Sequence, residues 1–441
     1  MFKKIDIKLK NKFNIIFDKI DNDIESVVSI ISRIINAATF YLLTFFASKY
    51  LVSEDFAKWT LFITFLNLLP LLNLGINTGL VNKISFNNSL SLIKNTENIN
   101  IINASFKFQI IISMVLVLTL YILFYLKINN SLIRLISTNF FSIIILIASL
   151  PFSFYSSILY SFKQINLSNY ISIIQNIILL IVSILVFLTT KNLNTFILYY
   201  SATYTILFIL FFLFTIVKNN IKINFTLKDI KNISLVTTAS FTFWIMSFIS
   251  NILSTAQIFF VTFLFGLNSV PNFFLFQKIY SIINTFHLAY LSPFTVKFIE
   301  YASNNKWDLL LNEINSLINN FTLKLYLSFG LVIFLLHPFI LNIWTGKNII
   351  DYVTSLIFLV ISFLTSICNV YSVLLNSLGH FKVQIIYAFI SFISFISFIF
   401  ILKIYFGPIS IAISTLPAII FTLFLMRQYT YRLIHNKSIY I

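Results

Sequence analysis

The sequence predicts an all-α, polytopic membrane protein of about twelve transmembrane helices arranged as two pseudo-symmetric six-helix halves. Three observations carry this. The chain of 441 residues is 59% hydrophobic and only 10% charged, with a mean hydropathy of +0.94. No soluble fold of this size is so apolar, so the bilayer is its solvent. Apolar runs of about 20 residues recur along the chain, joined by mostly short links. Finally, weak sequence matches recur at a nearly constant separation close to half the length.

Residues 1–25 alternate Lys and Asp with Ile and Phe. They read as an amphipathic segment on the cytoplasmic membrane surface, not as a cleaved signal. The first half, 26–217, holds spans at 26–48, 59–82, 101–126, 139–162, 170–190 and 194–217. After a cytoplasmic linker at 218–235, the second half, 236–426, holds spans at 236–264, 272–294, 317–343, 352–375, 383–402 and 409–426. A cytoplasmic tail, 427–441, follows. Two of these spans, 236–264 and 317–343, exceed a bilayer's thickness, which predicts tilt or a break. The link from Lys297 to Asn315 reads as an amphipathic interfacial helix. Trp307, Leu310, Leu311 and Ile314 would face lipid, and Lys306, Asp308 and Glu313 water.

With both termini on one side, the segments on that side carry 19 Lys and Arg against 7 on the other. The bias predicts N-in, C-in topology. The repeat rests on three matches. Lys107 and Lys324 open the third and ninth spans 217 residues apart. Ser161 and Ser377 close the fourth and tenth, 216 apart, and Val52 and Gly266 mark corresponding loops, 214 apart. Parallel repeats of this kind typify transporters with a site between the halves near mid-membrane.

Four ions lie inside spans, Arg33, Lys107, Lys278 and Lys324, and all are cations. No Asp or Glu lies in any span, and none occurs between Glu97 and Asp229. Arg33 sits roughly 10 Å inside the first span, by the helical rise. A permanent cation at the bilayer centre costs ~2.5 kcal/mol or more. Arg33 therefore needs a wet, protein-lined place, and its counter-charge is backbone carbonyls, water, a span-end acid such as Glu300, or a substrate. Lys107 and Lys324 have stems long enough to snorkel to the interface, so a structural reading stands beside the functional one. Lys278 lies nearer the opposite end. Asn251 and Gln257 of the seventh span fit either a polar ligand or inter-helix hydrogen bonds. His287 is read as the only histidine deep in a span. It and the edge acid Glu300 are the candidates for proton coupling, with a packing histidine as the alternative reading.

The chemistry excluded is equally clear. The cations are scattered rather than gathered into a nucleic-acid stripe. Cys368 is the only cysteine, so no internal disulfide or thiolate metal set can form. No Ser/His/Asp set, Gly-rich phosphate loop or His/Cys cluster appears, and neither enzyme, metal nor cofactor is expected.

Four stretches carry a resemblance: Leu51-Val52-Ser53-Glu54-Asp55-Phe56-Ala57-Lys58-Trp59 with Leu71 to Leu80; Phe265-Gly266 through Leu291-Ser292-Pro293 to Tyr301–Trp307; Ile340-Leu341-Asn342-Ile343-Trp344-Thr345-Gly346; and Leu374 to His380. Together they resemble the polysaccharide or O-antigen flippases, the lipid-linked oligosaccharide exporters within the multidrug/oligosaccharidyl-lipid/polysaccharide exporter superfamily. The chain departs from the pattern where Val52 and Ala57 replace Gly, and where Gln257 stands at a position that is Asp in many relatives.

The resemblance implies a V-shaped bundle around a central cavity. It also implies movement of a polyprenyl-pyrophosphate-linked oligosaccharide from the inner to the outer leaflet of the bacterial cytoplasmic membrane. Its partners would be membrane lipids and the polymerase and glycosyltransferases of the same pathway. Arg suits bidentate phosphate contact and Lys acts as a point charge. On this reading Arg33, Lys107 and Lys324 receive the pyrophosphate and Lys278 draws it outward. The rival readings are a peptidoglycan lipid-precursor flippase, which shares the cationic cavity; a multidrug exporter, which wants an in-span carboxylate; and a membrane glycan-assembly enzyme, which wants paired acids or a long outer loop.

Overall fold

The computed structural model describes residues 28–29, 31–89, 95–125, 138–224, 234–291 and 293–435. The expected surface segment at 1–25 lies outside them. Among the described residues nine helical stretches are long and apolar enough to cross a membrane, or ten with one bent pair. One of the nine, Phe381–His435, is two helices divided at Gly407. Val270–Leu291 is a further 22-residue helix packed among them. Together these make the expected twelve crossings.

The first half comprises α1 (Ile31–Tyr50), α2 (Ser53–Leu68), α3 (Ile76–Ser89), α4 (Asn95–Tyr125), α5 (Phe140–Ala148), α6 (Tyr155–Ser161), α7 (Ile165–Thr189) and α8 (Leu193–Lys218). The second comprises α9 (Ser234–Ser254), α10 (Gln257–Phe265), α11 (Val270–Leu291), α12 (Phe294–Ser303), α13 (Trp307–Ser316), α14 (Leu331–Thr345), α15 (Tyr352–Ser377), α16 (Phe381–Phe406) and α17 (Ser410–His435).

Three spans are interrupted where the sequence supplies the means. After α2, Pro70 opens a 3-10 turn over Leu69–Asn73; Leu74 and Gly75 then take φ of 50° and 73° before α3 resumes. Between α5 and α6, Pro151 precedes a second 3-10 turn, Phe152–Phe154. The expected break in the seventh span is a 49° bend between α9 and α10. The long ninth span instead runs unbroken from Trp307 to Thr345, loosened by two π-helical stretches, Leu317–Thr322 and Tyr326–Gly330.

The predicted interfacial helix differs from expectation. It is two helices, α12 and α13, divided at Asn304–Asn305, where Asn305 takes a left-handed φ of 56°. Trp307, Leu310 and Ile314 do not face lipid. They are buried against Phe298, Tyr371, Leu374 and Ile434, because the turn folds α13 onto the second half. Lys297 of α12 pairs with Glu313 of α13 at 2.9 Å.

Apolar packing follows the halves and then joins them. One buried cluster around Phe106, Phe154 and Phe212 belongs to the first half, and one around Phe298, Leu374 and Met426 to the second. A third is shared, with Trp59 packed edge-on to Phe274 at 6.0 Å. The Tyr41 hydroxyl lies 3.0 Å from that of Ser281, and Ser48 donates to the Trp344 carbonyl at 2.6 Å. At the break after α2, the Trp244 indole N–H donates to the Leu71 carbonyl at 2.7 Å.

Candidate functional site

Each half encloses a cavity, and the two are built from corresponding residues. The first, of about 370 Å³, lies among α1, the turn after α2, α3, the turn after α5, α6, α7 and α8. The second, of about 190 Å³, lies among α9, α15, α16 and α17. Ser29, Ser32, Arg33 and Asn36 line the first; Met246, Ile249, Ser250 and Leu253, each 217 residues later, line the second. Likewise Ser149, Ser153 and Ser156 correspond at 216 to Thr365, Asn369 and Ser372, and Ser168 and Ser172 to Gln384 and Ala388. The constant register shows the repeat in three dimensions. The cavities differ in charge, since Ser250 stands where Arg33 would be.

Helical spacing builds the cationic cavity. Positions i, i+3, i+4 and i+7 share a helix face, so Ser29, Ser32, Arg33 and Asn36 form one polar stripe. The stripe is fixed across to α7: the Asn176 side-chain amide donates to Asn36 Oδ1 at 2.6 Å, and Asn36 Nδ2 donates to Ser172 at 3.3 Å. Gln109 of α4 donates to Asn77 Oδ1 at 2.7 Å, and Tyr155 donates to Gln175 at 3.0 Å. Asn169 lines the cavity while only 6% exposed, and its Nδ2 has no hydrogen-bond partner among the described residues. Among the described residues no lining residue is acidic. Such a cavity offers a guanidinium fork, an unmet amide donor and hydroxyls, and suits an oxyanion.

An unmet buried donor costs about 1–3 kcal/mol. Asn169→Leu is therefore expected to leave the melting temperature of the nanodisc-embedded protein unchanged or raised. The same variant is expected to bind inorganic pyrophosphate about tenfold more weakly, the loss of one hydrogen bond of about 1.4 kcal/mol. A fall in melting temperature with unchanged binding would assign Asn169 to packing.

The structure distributes the other candidates. Lys107 is buried in α4, only 6% exposed, so it does not snorkel to lipid. Lys324 is exposed on α-helical Leu323–Leu325 between the two π stretches. The two lysines match in sequence but not in surroundings. Lys278 lies outside the first cavity, in the seam between the halves. Its ammonium is 4.4 Å from the Phe40 ring centre and 5.2 Å from that of Phe274. Phe40 is seven residues beyond Arg33 on α1, about 10 Å of helical rise.

Asn251 and Gln257 take the inter-helix or local bonding alternative. The Asn251 amide donates to the Ser247 carbonyl at 2.8 Å, within α9. Gln257, buried at the α9–α10 bend, donates to the Leu253 carbonyl and accepts from Gln277 at 3.3 Å. His287 is fully buried on α11, its Nε2 2.8 Å from the Thr322 hydroxyl and its ring stacked on Phe321. Glu300 is exposed on α12.

Two features escaped the sequence reading. His287 is not the only buried histidine: His337 is equally buried, donating through Nδ1 to the Phe334 carbonyl at 2.7 Å and packing edge-on against Tyr352 at 4.8 Å. The polar stripes that make the cavity were also missed. Their signal was present, as Ser and Asn at helical spacing within apolar runs.

The described helices form a bundle of two related halves, with a polar cavity in the first and a mainly apolar one in the second, and inverted or parallel repeats of this kind recur among secondary transporters. No family model matches the chain, and no curated protein matches it. Solved structures do. A multidrug resistance MATE family transporter of the MOP superfamily, in an inward-facing conformation, superposes with a TM-score of 0.70 at 14% identity over 94% of this chain and 99% of its own. The lipid II flippase MurJ, inward closed, gives 0.67 at 18% identity over 94% and 91%. A MOP superfamily transporter from Pyrococcus furiosus, whose binding pocket of reverse polarity suggests a different function, gives 0.65 at 15% over 93% and 96%. The fold is that of these transporters and of the flippase.

Proposed function

We propose that this protein is a flippase for a polyprenyl-pyrophosphate-linked oligosaccharide, an O-antigen, capsule or exopolysaccharide repeat unit. It would act from the inner to the outer leaflet of a bacterial cytoplasmic membrane with both termini cytoplasmic. One observation carries the reading: Arg33 lines a polar cavity that, among the described residues, has no acidic lining residue. Moving an anionic headgroup through hydrocarbon requires that its lost hydration be replaced, and guanidinium and amide donors do this. A cationic drug or coupling cation would instead need a carboxylate, and the chain places none within its expected spans.

In this account the halves at 26–217 and 236–426 rock against each other. Lys107 supplies positive potential behind the cavity wall, and Lys278 receives the anion along α1 as the seam opens. Lys324, exposed away from these groups, acts as an interfacial anchor. His287 and Glu300 are the coupling candidates. The MurJ likeness supports a lipid-linked substrate, and a peptidoglycan lipid precursor would satisfy the same cavity.

Deleting the gene and assaying lipid-linked glycans by leaflet separates the readings. Accumulation of completed glycan-lipid on the cytoplasmic face is the expected result. Loss of glycan-lipid synthesis would point to an enzyme, and arrested peptidoglycan assembly to the alternative substrate.

A further inference from the structure

A second concavity lies back to back with the cationic cavity. It is an apolar groove of about 590 Å³ on the outside of the first half, between α4 and α5. Met114, Leu118 and Tyr121 form its α4 wall, all three more than half exposed. Ile144, Ala148 and Pro151 form the other wall. Of the two hydroxyl-bearing residues on the α4 side, Ser113 is already satisfied by the Gln109 carbonyl at 2.9 Å, and Tyr121 lies at the far end of the groove.

The partition between groove and cavity is the single non-α turn after α5. Ser149, Leu150 and Ser153 face the cationic cavity, and Ala148, Pro151 and Phe152 face the groove. The levels also match. Gln109, bonded to Asn77 of the cavity wall, immediately precedes Ile110, where the groove begins. From there the groove follows α4 to Tyr121, about 16 Å of helical rise, roughly half the hydrocarbon thickness. At that end Phe140 stacks on Phe124 with ring centres 4.6 Å apart.

We infer that this groove seats the proximal part of a polyprenyl tail whose pyrophosphate is held at Arg33. The inference rests on the function proposed above and adds to it the site of the tail. An amphiphile with an anionic head and a long hydrocarbon chain needs two surfaces of opposite character one turn apart, and α5 with its break provides both. The tail then stays on the lipid side of the bundle while the head is held within. The groove starts at the cavity's level and points toward the opposite end, the direction a tail takes from a headgroup near one interface.

The test uses the full-length protein in nanodiscs with a diazirine-bearing polyprenyl pyrophosphate, and crosslinks mapped by peptide mass spectrometry. Labelling is expected on Met114, Leu118, Tyr121 or Ala148, and it should fall about tenfold or more in Arg33→Ala or under excess inorganic pyrophosphate. Met114→Trp fills the groove at an exposed position. It should weaken binding of the lipid probe about tenfold, the equivalent of roughly two displaced methylenes, and leave inorganic pyrophosphate affinity unchanged. Groove labelling that persists undiminished in Arg33→Ala would mean that ordinary membrane lipid occupies it, and would overturn the inference. Labels mapping elsewhere, with pyrophosphate binding still dependent on Arg33, would overturn the groove and leave the function standing. Pyrophosphate binding indifferent to Arg33 would remove the function and the groove together.

Discussion

Arg33→Ala is expected to weaken pyrophosphate binding about a hundredfold and to abolish glycan export, without loss of protein from the membrane. Charge-assisted hydrogen bonds contribute about 1.5–3 kcal/mol each, and a hundredfold corresponds to about 2.7 kcal/mol. The guanidinium makes two such bonds when it meets a phosphate through its fork. Arg33→Lys keeps the charge and loses the fork, so an intermediate loss of about tenfold is expected. Stability should move the other way. Among the described residues no acid lines the cavity beside Arg33, so the substitution breaks no ion pair there and relieves part of the cost of holding a cation within a span, a cost of ~2.5 kcal/mol or more at the bilayer centre. Isothermal titration with pyrophosphate, alongside thermal unfolding, checks both directions. Weaker binding accompanied by a lower melting temperature would mean that Arg33 is a structural residue.

Gly75→Ala is expected to be the most destabilising small substitution in the chain. Gly75 has φ of +73°, and a Cβ there would lie 2.2 Å from the Ser240 carbonyl oxygen and 3.1 Å from Trp244 Cβ. The left-handed conformation alone costs an L-residue roughly 1–2 kcal/mol. Overpacking against fixed backbone adds ~1–3 kcal/mol. The contact joins α3 to α9 across the two halves, so the methyl group also forces the seam open. Gly379 is the control: its φ is +75°, yet nothing lies within 4 Å of its Cβ position. Thermal unfolding should therefore show a clearly larger drop for Gly75→Ala than for Gly379→Ala. Equal drops would mean that backbone strain is the whole effect and that the halves do not meet there.

The architecture was legible because hydrophobic length is a strong signal. Runs such as Ile165–Thr189 admit few other readings, and the surplus length at 236–264 announced the bend the structure shows. The repeat was legible at Lys107/Lys324 and Ser161/Ser377, yet side-chain fate did not follow it. Lys107 is enclosed by its neighbours, and Lys324 projects from a helix that π turns have rotated. Hydropathy along one helix does not encode which face a neighbour covers. For the same reason Trp307, Leu310 and Ile314 looked lipid-facing until the Asn305 turn folded them inward. Arg33 stood out as a charge in an apolar run. Asn169 did not, because its meaning depends on a cavity assembled from several helices.

The most direct test of the central claim is sided translocation in proteoliposomes. A fluorescent polyprenyl-pyrophosphate oligosaccharide is placed in both leaflets, and the fraction accessible to an external lectin or reductant is followed in time. Wild-type protein is predicted to make the inner-leaflet pool accessible, while Arg33→Ala vesicles of equal protein content leave it protected. Equal exposure of the pool by wild type and Arg33→Ala, or none by either, would contradict the account.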